Sequence, residues 1–102
     1  MDNRELAGRI EQGEAPVVID VRTGMEFKAS HIPGAMHLPT TRIPFRRKLL
    51  PADRDTLLVL TCEHGPRAQL AAGILCLLGF KRLELLQGHM SAWRKAKLPT
   101  ES

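Results

Sequence analysis

The sequence predicts an α/β fold: a three-layer, open parallel sheet of about four strands with helices on both faces. Three observations lead there. Strand-like and helix-like segments alternate along the chain. The strand-like segments "PVVIDV" and "DTLLVLTC" are nearly continuous apolar runs, as strands covered on both faces require. The 102 residues are 43% hydrophobic and 25% charged, enough for one core and suited to one domain over residues 1–102.

The elements follow in order. "NRELAGRIEQ" has helical periodicity, with Asp2 or Asn3 as its cap. "PVVIDV" is a β-branched run and reads as a strand. "TGMEFKAS" is polar and suits one or two helical turns capped by Thr23. Pro33 and Gly34 fit the central positions of a type II turn, and "AMHLP" after them is a short strand. "TRIPFRRKLLP" is helical in part, broken by Pro44 and Pro51. "DTLLVLTC" is a buried strand. "RAQLAAGILCLLGF" is a helix ended by Gly79. "RLELLQG" is the last strand, and "MSAWRKAK" is a closing helix whose cationic end suits its dipole.

Composition narrows the function. The net charge of +4 favours anionic partners in general. The densest basic cluster, Arg46 to Lys48, has no aromatic ladder beside it, which argues against nucleic acid. No apolar run approaches the roughly 18 residues of a membrane span, so no membrane partner is expected. The charged opening "MDNRELAGRI" lacks the apolar core of a signal peptide, which reads as cytoplasmic. Cys62 and Cys76 are too few for a disulfide scaffold. If a helix starts near Arg67, Cys76 lies roughly 13 Å along it at ~1.5 Å per residue, beyond the ~7 Å a disulfide spans. Cys76 sits in the apolar stretch "GILCLLGF" and reads as core. The histidines and cysteines never fall into metal-ligand spacing, and no metal site is expected.

"LTCEHGPRAQ" is the chemically interesting stretch. Parallel sheets bind ligands outside the carboxyl ends of their strands, where Cys62, Asp20 and Arg22 stand. Consecutive N–H groups of the loop from Cys62 to Arg67 can converge into an anion nest. The helix that follows points its positive end at the same spot. That field favours the thiolate, the reactive form of cysteine. Arg67 adds a permanent cation with a fork for an oxyanion. Gly65 permits a positive φ. Pro66 suits the first helical turn but removes one N–H from the nest. The Glu63 carboxylate would oppose a thiolate if it faced inward, and it reads as pointing to solvent. His64 stands in the loop, able to touch substrate or to remain an exposed variable residue. A strand ending in a buried cysteine before a tight turn is the plainer alternative for the whole stretch.

The chain resembles the rhodanese-like domain of the single-domain sulfurtransferase type. "VVIDVRTGMEFKASHIPGAMHLP" is similar to the family's N-terminal signature, "CEHGPRA" to its active-site loop, and "LLQGHMSAW" to its Leu-x-Gly-Gly-x-x-x-Trp segment. His89 departs from this pattern, standing where the second glycine is usual. The family's short strand ahead of its first helix has no counterpart, so the resemblance implies a four-stranded sheet in the order 4-3-1-2. It implies Cys62 as the catalytic nucleophile in a ping-pong cycle, with Glu63, His64, Gly65, Pro66 and Arg67 as the substrate cradle. It also implies that Asp20 fixes the loop by hydrogen bonds and that Arg22 with Glu26 form a structural ion pair, for which a solvated helix face is an equal alternative. His31 is a turn residue and Trp93 a packing residue. Arg42 and Arg46 rim the pocket, or else belong to a solvated basic helix.

The implied activity is that of a thiosulfate:cyanide sulfurtransferase. A small anionic donor such as thiosulfate loads Cys62 with a persulfide, and a thiophilic acceptor such as cyanide, a thiol or a protein removes it. Related phosphatases resemble the loop with Cys-x5-Arg. The Cys-x4-Arg spacing here is a tighter cradle, better suited to a persulfide sulfur than to a tetrahedral phosphate. A persulfide carrier that docks on a partner, and a small phosphatase or arsenate reductase, are the alternative readings.

Overall fold

The computed structural model describes residues 1–102. Its elements are α1 (Asn3–Glu11), β1 (Val17–Asp20), α2 (Gly24–Ala29), β2 (Met36–His37), β3 (Leu58–Thr61), α3 (Pro66–Leu77), β4 (Leu83–Leu85) and α4 (His89–Lys95). All strand pairings are parallel, and the sheet order is β2-β1-β3-β4. That is the expected 4-3-1-2 order read from its other edge. β1 and β3 lie at the centre, in a register that sets Asp20 beside Thr61. The loops after both central strands therefore emerge side by side.

Strand alternation divides the core in two. Ile19, Val21, Leu58 and Leu60 face one way and pack with Ala68, Ala71 and Leu75 of α3 and with Ile43. Val18 and Val59 face the other way and pack with Leu6 of α1 and with Met90 and Trp93 of α4. These are the three expected layers. At ~25 cal/mol per Å² of buried apolar surface, each fully enclosed Leu or Ile contributes about 1.5–3 kcal/mol.

Local signals act where the sequence places them. Asp2 caps α1 by accepting the Arg4 N–H at 2.6 Å. Thr23 and Glu26 form a reciprocal capping box on α2. Gly34 has φ +80° in the turn closed by the Ala35 N–H on the Ile32 carbonyl.

Two expectations need correction. Pro44 does not break its segment: it lies inside a 3-10 helix, Thr40–Phe45, which stops at Arg46. A second 3-10 turn, Arg47–Leu49, ends at the extended Leu50, the conformation that the following Pro51 imposes. Cys76 is exposed, not core. The buried stripe of α3 is Ala68, Ala71 and Leu75, and one residue further turns a side chain about 100° away from it. An apolar run on a helix thus does not place every member inside. The sequence also gave no hint that Glu101 returns to pair with His31 in an antiparallel bridge.

Candidate active site

Cys62 follows β3, fully buried. The chain then turns through Glu63, His64 and Gly65 into α3, with Pro66 at the first helical position. Gly65 has φ +126°, a conformation an L side chain rarely adopts. This twist aims the Gly65 N–H at Cys62 Sγ, 2.9 Å away. Of the loop N–H groups expected to converge into a nest, Gly65 alone donates to the sulfur.

The first turn of α4 grips the start of the loop. The Met90 N–H donates to the Cys62 carbonyl at 3.0 Å, and the Ser91 N–H to the Glu63 carbonyl at 3.2 Å. These are N–H groups that a helix start leaves without an internal partner. The Cys62 N–H donates to Nδ1 of His89 at 3.3 Å. His89 is buried and keeps the left-handed backbone, φ 52°, that glycine would supply. Burial, and secondarily the nearby His64 and the N-terminal ammonium, push its imidazole below the ordinary histidine range. The resemblance drew attention to His89 only as a departure from glycine. Its contact with Cys62 was missed, and the signal was that departure, in a segment the fold brings against the loop.

Charged residues complete the frame, with partners that differ from expectation. Arg22 does not pair with Glu26. It is buried against Asp20, with Nη2 2.7 Å from Oδ2 and Nε 2.9 Å from Oδ1. A second contact runs from Arg22 Nη2 to the Ser30 carbonyl at 2.6 Å. Asp20 therefore reaches the loop through Arg22, not directly. Glu63 does not point freely to solvent. Its carboxylate pairs with Arg94 and lies 3.6 Å from Arg22 Nη1. The Arg94 bond, ahead of the charges of Arg22 and His64, holds its carboxyl below the usual range.

The partner of Glu26 is Arg67, in a two-pronged pair at 2.6 and 3.0 Å. The Arg67 fork is thus occupied by a carboxylate of α2. The Thr40 hydroxyl donates to the Arg67 carbonyl at 3.1 Å and ties the 3-10 segment to the same helix start. His64 and Pro66 are exposed on the loop. Beside it lies a shallow cavity of about 170 Å³ lined by Val21, Thr23, Thr40, Thr41, Arg67 and Leu70 among others. Arg42 is exposed, and Arg46 lines a separate depression with Phe45, Arg47 and Lys48. His31 bonds the Phe27 carbonyl at 2.8 Å, and Trp93 is fully buried. No group of three or more His, Cys, Asp or Glu side chains is arranged to hold a metal ion, and no helix is long and apolar enough to cross a membrane.

The sequence matches the rhodanese-like domain over residues 2–96. The chain belongs to the rhodanese-like family. Among its relatives is a protein named sulfurtransferase from Allochromatium vinosum, 34% identical over 99 residues, covering 97% of this chain and 91% of that one. The thiosulfate sulfurtransferase GlpE of Shewanella oneidensis is 34% identical over 88 residues, covering 86% of this chain and 85% of its own. Among solved structures, the rhodanese-like domain of the Alr3790 protein from Anabaena superposes with a TM-score of 0.86 at 26% identity. That match covers 100% of this chain and 77% of the other. The rhodanese-like α/β fold of this chain is therefore shared by its neighbours in structure as well as in sequence.

Proposed function

We propose that the protein is a single-domain sulfurtransferase that carries sulfane sulfur on Cys62. One observation supports this above the rest: Cys62 Sγ stands at the carboxyl end of a central strand, in a loop entering a helix, with the Gly65 N–H 2.9 Å away. Sulfurtransferase names among the relatives point the same way.

The Cys62 thiolate attacks the outer sulfur of thiosulfate. A Cys–S–S bond forms, the sulfur–sulfur bond of thiosulfate breaks, and sulfite leaves with its electron pair. The persulfide is left with its negative charge on the outer sulfur, where the start of α3 and the Gly65 N–H favour it. Cyanide, or an acceptor thiolate, then attacks that outer sulfur. Thiocyanate or the acceptor's persulfide leaves, and the Cys62 thiolate returns. The cycle is ping-pong and calls on no cofactor. Because Cys62 is fully buried, the donor reaches it only when the loop opens.

Intact mass after incubation with thiosulfate tests this reading. A gain of one sulfur atom is expected, lost on adding cyanide and absent from a folded Cys62→Ser variant. A folded wild-type chain that gains no sulfur, or a Cys62→Ser variant that gains it equally, refutes the proposal.

A further inference from the structure

His89 is the residue of the site whose chemistry the transfer cycle leaves unused. A backbone N–H can only donate, so the Cys62 N–H at 3.3 Å requires a lone pair on Nδ1 of His89. The ring proton must then sit on Nε2. That edge faces Gly65: a Cβ built there would lie 3.2 Å from Nε2 and 3.4 Å from Cδ2. One imidazole thus bonds the Cys62 main chain and lies beside Gly65, whose N–H meets Sγ.

We propose that His89 is a positioning residue of the Cys62 loop, holding it in register only as the neutral, Nε2-protonated imidazole. With the Met90 N–H on the Cys62 carbonyl, both polar main-chain groups of Cys62 are fixed by the first turn of α4. A protonated imidazole would present an N–H to the Cys62 N–H, donor against donor, and release that half of the grip.

Burial and the positive groups around the ring oppose that proton. His64 from the loop and the Met1 ammonium from the start of α1 are positive neighbours, and burial adds to them. Glu63 is held by Arg94 and Arg22. Of the loop side chains, only the Cys62 sulfur, when it is ionised for transfer, would favour the proton. The loss of loop order therefore falls below the ordinary histidine range, on the acid side. The role rests on the sulfurtransferase reading only for its effect on turnover, since the hydrogen bond is observable without activity.

Two substitutions separate acceptor from backbone. Asparagine tolerates the left-handed conformation and puts an oxygen near the place of Nδ1 without titrating. Glycine keeps the backbone and removes the acceptor. Nitrogen NMR of the wild-type imidazole at about pH 8 should show the Nε2-protonated tautomer. The Cys62 amide signal should move as His89 titrates, and stay still over the same range in His89→Asn. With thiosulfate, His89→Asn should keep turnover within about threefold and lose only that part of the acid limb of its pH profile that follows His89, whereas His89→Gly, with its fold intact, should lose about tenfold or more in kcat at little changed KM. An Nδ1-protonated tautomer, a Cys62 amide indifferent to His89, or a His89→Gly enzyme as fast as wild type overturns the proposal. A wild-type chain inert toward thiosulfate sinks the sulfurtransferase reading instead, and the NMR measurements still decide on His89.

Discussion

The Glu26–Arg67 pair is the contact whose removal is most informative about how the loop is held. The Arg67 guanidinium, first, and then the Thr23 backbone and hydroxyl groups bring the Glu26 carboxyl from the ordinary 4.5 down to about 2, against a smaller opposing effect of burial. Taken at face value such a displacement is about 3 kcal/mol of stability. Both side chains keep about a third of their surface in water, at 32% and 39%, so screening reduces the expected worth of the pair to about 1 kcal/mol. The sign follows from the direction: a carboxyl depressed by folding contributes fully above about 4.5, and the contribution is lost as pH falls toward 2.

Glu26→Gln is the clean perturbation, because glutamine preserves the capping box with Thr23 while removing the charge. Thermal melts of wild type, Glu26→Gln, Arg67→Met and the double variant give the coupling directly. We expect about 1 kcal/mol, or roughly 4–8 °C in melting temperature for a domain of this size. Below about pH 4.5 the wild type should lose this increment and converge on Glu26→Gln. Since its fork is filled by Glu26, Arg67→Met should slow anionic and uncharged sulfur donors alike. Additive single variants, parallel acid profiles, or a selective loss of anionic donors would refute the reading of Arg67 as a strut.

Two further predictions follow from the loop and from the corrected cysteine. Gly65→Ala forces an L side chain into φ +126° with its Cβ 3.2 Å from His89 Nε2; it should cost about 1–3 kcal/mol and abolish sulfur loading, which melting curves and intact mass together would check. Cys76→Ser changes an exposed side chain and should shift stability by no more than about 0.5 kcal/mol, with sulfur loading unchanged in the same mass assay.

The fold was legible because its signals are local. Apolar runs such as "VVIDV" and "LLVLT" have no polar face to give to water, and the caps at Asp2 and Thr23 act within a few residues of themselves. The loop was legible for the same reason, since Cys62, Gly65 and Pro66 do their work within one turn of chain. What could not be read were pairings set by the packing of layers. Arg67 and Glu26 stand 41 positions apart and His89 and Cys62 stand 27 apart. Glu26 could have served Arg22 equally well by composition, and only the path of the chain out of β1, which turns Arg22 back onto Asp20, decides between them. Cys76 failed for a related reason: hydropathy marks a segment, while burial is settled by which side of α3 meets the sheet.

The two ends of the Cys62 loop are held by unlike means. At the start, main-chain groups of Cys62 and Glu63 are bound by consecutive residues of α4, His89, Met90 and Ser91, whose helix is itself anchored in the core through Met90 and Trp93. At the far end, α3 is tied by side chains, through the half-exposed Glu26 and the buried Thr40 on Arg67. The first set fixes where the sulfur stands, because it acts on the residue that bears it. The second set acts on a helix already seated in the core by Ala68, Ala71 and Leu75. Substitutions on α2 should therefore change stability while Sγ stays in place, and substitutions in the first turn of α4 should move Sγ even where stability is nearly unchanged. In this chain the geometry of the cysteine is set from across the sheet, by the helix that follows the last strand.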